Sequence, residues 1–85
     1  MADIFEDGNT KRRKLIGRAL REATPAQLLR VRGVIASQYG ELKGYFIAYD
    51  DVLEALKLFD EGKYDHPKVC YFLVWEMRDF TAALK

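Results

Sequence analysis

Apolar residues recur along the chain mostly at helical spacing, and the punctuation between them is sharp. After Met1–Asn9, a short polar stretch with Gly8-Asn9 that reads as a flexible arm, Thr10 can cap a helix over roughly 11–23. Leu15, Ile16, Ala19, Leu20 and Ala23 repeat at i, i+1, i+4, i+5 and i+8, one face at helical period. The next segment carries the clearest local signal. In Thr24-Pro25-Ala26-Gln27 a capping Thr is followed by Pro at the first helical position, and Gln at the third closes a capping box. A helix over 25–38 follows, with Leu28, Val31, Ile35 and Tyr39 as its apolar stripe, widened by Leu29 and Val34. Gly33 stands inside it at a cost of roughly 1 kcal/mol relative to Ala, which predicts close approach by a neighbouring helix.

A connection with Gly40 and Gly44 leads to the run Tyr45–Tyr49, a short strand or a packed apolar link. Asp50 or Asp51 then caps a third helix over 51–61, with Val52, Leu53, Leu56 and Phe59 inward and Gly62 as its stop. Asp65-His66-Pro67 opens the last element. Val69–Trp75 is rich in β-branched and aromatic residues, so a strand competes on propensity. The pattern continues through Met77, Phe80, Ala83 and Leu84 without Gly or Pro, however, and predicts one helix over 67–84. The expected architecture is a compact all-α domain of four helices spanning 10–85. Its rival is α+β, with short strands near 45–49 and 69–75.

Composition fits one small folded domain. Of 85 residues, 49% are hydrophobic and 13% aromatic, enough for a core and unlike a disordered chain. The single cysteine, Cys70, excludes an internal disulfide and a Cys-rich zinc site. No secretory signal is legible, and the longest apolar run, Val69–Trp75, falls well short of the roughly 20 residues that cross a bilayer. A cytoplasmic protein without membrane attachment is expected.

The net charge of +1 conceals a division. Residues 1–43 carry nine Lys/Arg against five Asp/Glu, whereas residues 44–85 carry five against eight. Lys11, Lys14, Arg18 and Arg21 share the face of the first helix opposite its apolar stripe, and Arg12 and Arg13 add to this basic region. Such a face suits an acidic protein surface, a second copy of the chain, or nucleic acid. It is also what a solvated helix surface looks like. A helix-turn-helix reader is disfavoured, because the connection between the second and third helices is too long and the third helix is acidic.

The second candidate lies on the last helix. With Val69, Cys70, Leu73, Met77, Phe80 and Leu84 inward, Tyr71, Trp75 and Arg78 fall together on the outer side at i, i+4 and i+7. These three residue types are enriched in interface hot spots, since each joins a large apolar area to a polar handle. A helix apolar nearly all round is either central in a core or covered by a partner. Catalytic signals are poor. His66 reads as a cap, Cys70 sits in the most apolar run, Ser37 has no evident base, and the carboxylates match no calcium loop. No catalytic, cofactor or metal-binding residue is assigned. The expectation is a small non-enzymatic protein-binding regulator, an inhibitor or adaptor, able to self-associate as a homodimer. A nucleic-acid-binding regulator using the basic face is the alternative.

Overall fold

The computed structural model describes the backbone of residues 3–42, 45–47 and 49–85, and the side chains of 11–39 and 49–85. It is all-α. The elements are α1 (Asp3–Arg21), α2 (Pro25–Ala36), β1 (Gly40–Leu42), β2 (Tyr45–Ile47), α3 (Tyr49–Asp60), α4 (Pro67–Trp75) and α5 (Met77–Ala83). The two three-residue strands form a small antiparallel ribbon that pairs Gly40 with Ile47 and Leu42 with Tyr45. A strand at 45–47 is all that the α+β expectation retains, because Val69–Trp75 is helical and Tyr49 opens α3.

Local chemistry sets most of the boundaries. The capping box is present: Thr24 Oγ1 accepts from the Gln27 amide at 3.2 Å, and Gln27 Oε1 accepts from the Thr24 amide at 2.8 Å. α3 ends on Gly62 at φ +83°. There the Lys63 amide donates to Leu58 O and the Gly62 amide to Phe59 O, both at 3.0 Å, a pattern that satisfies two terminal carbonyls. His66 caps α4, its Nδ1 accepting from the Lys68 amide at 3.1 Å.

The start of α1 departs from the sequence reading. Its backbone is helical from Asp3, so the segment read as an arm joins the helix and Thr10 lies within it. This placement removes an electrostatic objection. The Lys11–Lys14 cluster no longer stands at a helix N-terminus, where cations are disfavoured, and Arg18 and Arg21 occupy the last turn, where they are favoured.

The larger departure is in the last segment, which breaks at Glu76 into α4 and α5. The cause lies in α2's C-terminal turn. Gln38 is the buried polar residue among those described, 3% exposed, and its Nε2 donates to Phe72 O at 2.9 Å. That carbonyl is also the acceptor of the Glu76 amide, whose bond is stretched to 3.3 Å. A side chain inserted into the ladder in this way kinks a helix. Glu76 leaves the helical region (φ −110°, ψ 47°), and the ladder resumes when the Phe80 amide reaches Glu76 O at 2.9 Å. The turn carries Phe80 and Ala83 into the core beside α2. α2 in turn caps α5: Arg30 Nε donates to Ala83 O at 2.9 Å and Gln27 Nε2 donates to Leu84 O.

The core joins Ile16 and Leu20 of α1, Val31 and Ile35 of α2, Val52, Ala55 and Phe59 of α3, Val69, Cys70, Phe72 and Leu73 of α4, and Phe80 and Ala83 of α5. Several residues expected inward are exposed instead: Leu15, Leu29, Tyr39, Leu53 and Met77. Each sits at the edge of an apolar stripe, and these short helices bury a narrower arc than the stripe offers. Gly33 is also unlike its expectation: among the described residues, no atom beyond its chain neighbours and its own helix backbone lies within 4 Å of where a Cβ would stand. The close approach occurs at Gly17, where a Cβ would meet Asp65 Cβ at 3.0 Å and Arg21 Nη2 at 3.1 Å. Gly17→Ala is therefore expected to destabilise the fold by about 1–3 kcal/mol, since α1 must shift from the loop that carries Asp65. Urea titration followed by circular dichroism measures this directly, and wild-type stability in the variant would contradict the contact.

Candidate docking surface

α4 supplies the aromatic part of the surface. Pro67 fits its first turn and His66 caps it, which leaves Val69, Cys70, Phe72 and Leu73 facing the core. Tyr71 and Trp75 then fall on the outer side, 46% and 39% exposed, with ring centroids 6.1 Å apart in an edge-to-face arrangement. Tyr71 also meets Phe72 edge-to-face at 5.3 Å, so an exposed ring is braced by a buried one. Arg78 is exposed but stands beyond the break, in α5. The expected Tyr71–Trp75–Arg78 row is thus reduced to a pair, because the helical phase linking the third member is interrupted at Glu76.

α1 lies alongside α4. Gly17 packs on Asp65, Arg21 Nη2 lies 3.9 Å from Asp65 Oδ2, and one turn back along α1 the charge of Arg13 acts on Cys70. Lys11, Lys14, Arg18 and Arg21 are all exposed, and Lys14 and Arg21 share the stripe of Gly17, the flank turned towards the loop that carries Asp65. Arg12 is exposed on the far flank. Arg13 corrects the sequence reading: it is half-buried, in register with Ile16 and Leu20, and does not belong to the basic face. Leu15, 58% exposed, stands among the cations. Its helical spacing with Ile16, Ala19 and Leu20 predicts an inward position, but it stands at the edge of that stripe.

Cys70, Ser37 and His66 each make a hydrogen bond to a nearby backbone group. The Cys70 thiol donates to Tyr64 O at 3.3 Å, and burial pushes it up to about 11 despite the opposing charge of Arg13. Ser37 Oγ donates to Val34 O at 2.8 Å, and His66 Nδ1 is engaged in its cap. Among the described residues no three His, Cys, Asp or Glu side chains gather as metal ligands, and no helix is long and apolar enough to cross a membrane.

Two ion pairs frame α3. Arg32 binds Asp60 through two bonds, Nε to Oδ1 at 2.9 Å and Nη2 to Oδ2 at 3.0 Å, which holds the Asp60 carboxyl below its usual range. Lys68 Nζ donates to Glu54 Oε1 at 2.6 Å and lowers that carboxyl likewise. Comparison with protein-family models, with curated proteins and with solved structures finds no match to this chain.

Two outcomes follow from these environments. Cys70 should react with a soluble aromatic disulfide far more slowly in the folded protein than in denaturant, because both burial and the raised thiol suppress the thiolate; equal rates would contradict its placement. The carboxylates of Asp60 and Glu54 are lowered on folding, so the stability they add is present above the ordinary carboxyl range near pH 4 and is lost as pH falls through their lowered values. Both pairs are exposed, so the loss is small. Thermal melts between pH 6 and acid should show it shrink in Arg32→Met.

Proposed function

We propose that this chain is a small non-enzymatic regulator, an inhibitor or adaptor acting in the cytoplasm, that docks an acidic surface of a larger protein along the α1–α4 face. The observation that carries this reading is the exposed Tyr71–Trp75 pair on α4, together with the exposed cations of α1. The aromatic pair supplies desolvated area at little entropic cost, since each ring has few rotatable bonds. The cations Lys11, Lys14, Arg18 and Arg21 steer an acidic partner and set its orientation. Leu15 adds an apolar contact inside the basic region.

Nucleic acid is the second reading, favoured by the single observation that these exposed cations share one helix face. Salt separates the two. Binding by phosphate neutralisation falls steeply and log-linearly with salt, whereas a contact centred on aromatic burial changes little once steering is screened.

Affinity capture from the native host's lysate, with and without nuclease, tests the proposal. A protein retained in both arms is expected. Trp75→Ala should weaken its binding by about tenfold or more, the loss of one hot-spot side chain. Arg18→Glu with Arg21→Glu should reduce it through slower association. A bound species lost on nuclease treatment supports the nucleic-acid reading, and a partner indifferent to all three substitutions removes this face from the account.

A further inference from the structure

The side of the molecule formed by α2 and α3 carries a second surface that the sequence reading did not find. Four of the exposed large apolar residues lie here: Leu29, Tyr39, Tyr49 and Leu53. Two contacts fix how they are laid out. Arg32 binds Asp60 at 2.9 Å, and the Tyr39 and Tyr49 rings meet edge-to-face at 5.1 Å. Between these contacts α2 ascends while α3 descends, so the helices are antiparallel, with a charged rung at one end, an aromatic rung at the other, and Ala36 and Leu53 between. Leu29 is 71% exposed, the most exposed large apolar residue among those described. Gly33 leaves open space on this side of α2, so an incoming element can approach the backbone closely.

Charge identifies the occupant. α2 turns Arg32 to this face and carries no acid, its Arg30 being committed to Ala83 O of α5, whereas α3 turns Asp60 to it, its Glu54 being paired with Lys68 of α4. A partner for this face must therefore present a carboxylate over Arg32 and a cation over Asp60, at the same spacing and with apolar residues beside them. A second copy of the chain meets that requirement when rotated about a twofold axis parallel to the two helices. Rotation about such an axis preserves level along the helices. It sets Arg32 over the partner's Asp60, Tyr39 over the partner's Tyr49, and the level of Ala36 and Leu53 against the same level of the copy. The Arg32–Asp60 pair is open to this, with side chains 41% and 50% exposed, and would become part of a four-charge square of alternating sign. A twofold axis perpendicular to the helices instead lays cations over cations or over the aromatic rung.

We propose that the protein forms a twofold homodimer through the α2–α3 face, leaving the α1–α4 face outward on both protomers. This proposal stands apart from the function argued for α1–α4, and either can hold without the other. Its geometry is isologous, so it closes at two subunits.

Sedimentation or light scattering over a wide concentration range tests it, because a dimer's mass depends on concentration. The expected mass is twice the 9.8 kDa of the chain. Leu53→Lys and, separately, Tyr49→Lys should weaken dimerisation by about tenfold or more while the helical signal is retained, since both side chains are exposed within the protomer. Arg32→Asp should also dissociate the dimer, and Arg32→Asp with Asp60→Arg should restore it by regenerating the charge square in reverse. A wild-type mass of one chain at every concentration overturns the proposal. So does a dimer unmoved by Leu53→Lys and Tyr49→Lys, or one that Trp75→Ala dissociates.

Discussion

The architecture turns on a single buried amide. Gln38 reaches from the end of α2 to the carbonyl of Phe72, which also receives the Glu76 amide of its own helix. A neutral side-chain hydrogen bond contributes only about 0.5–1.5 kcal/mol net. Its leverage is geometric. By sharing that acceptor it ends α4 after Trp75 and redirects the chain, so that Phe80 and Ala83 pack with α2 and the terminal carbonyls of α5 meet Gln27 and Arg30. A straight helix of the same length would carry Phe80 away from the α2 wall. Removal of the break would therefore cost core burial as well as the caps of the last helix.

The break also divides the surface. Upstream of it Tyr71 and Trp75 remain on one outer stripe of α4, and downstream of it Arg78 belongs to another element. The α2–α3 side is organised by different means, the Arg32–Asp60 bridge and the Tyr39–Tyr49 contact. A domain of this size has little interior relative to its surface, so apolar residues at the edges of each stripe stay in contact with water. Here they include the Tyr71–Trp75 pair of α4 and the group formed by Leu29, Tyr39, Tyr49 and Leu53 along α2 and α3.

Much of the fold was legible wherever local chemistry decides. The Thr24–Gln27 box, the left-handed Gly62 and the His66 cap act within a few residues of themselves, and each stands where the sequence placed it. The helical reading of Val69–Trp75 also held, because the length of its pattern outweighed strand propensity. What was hidden depends on partners distant in sequence. Gln38 and Phe72 are 34 positions apart and Gln27 and Leu84 are 57, and no periodicity reports such contacts. The early start of α1 was hidden differently: Gly8-Asn9 reads as a breaker, yet the helix passes through it. The candidate surface was visible in type but not in extent. Tyr71 and Trp75 were found by spacing, Arg78 was separated by a break that spacing cannot show, and Arg13 was grouped with its neighbours although its phase turns it inward.

The most direct measurement is backbone NMR of Glu76 in the wild type and in Gln38→Met, a substitution of similar length that removes the competing donor. The account predicts non-helical carbon shifts and rapid amide exchange at Glu76 in the wild type. In the variant it predicts shifts moved towards helical values and slowed exchange at Glu76, as the Phe72 carbonyl returns to that amide alone, while the burial of Phe80 and Ala83 and the α5 caps keep the last helix beside α2. A break at Glu76 that persists unchanged in Gln38→Met would contradict it.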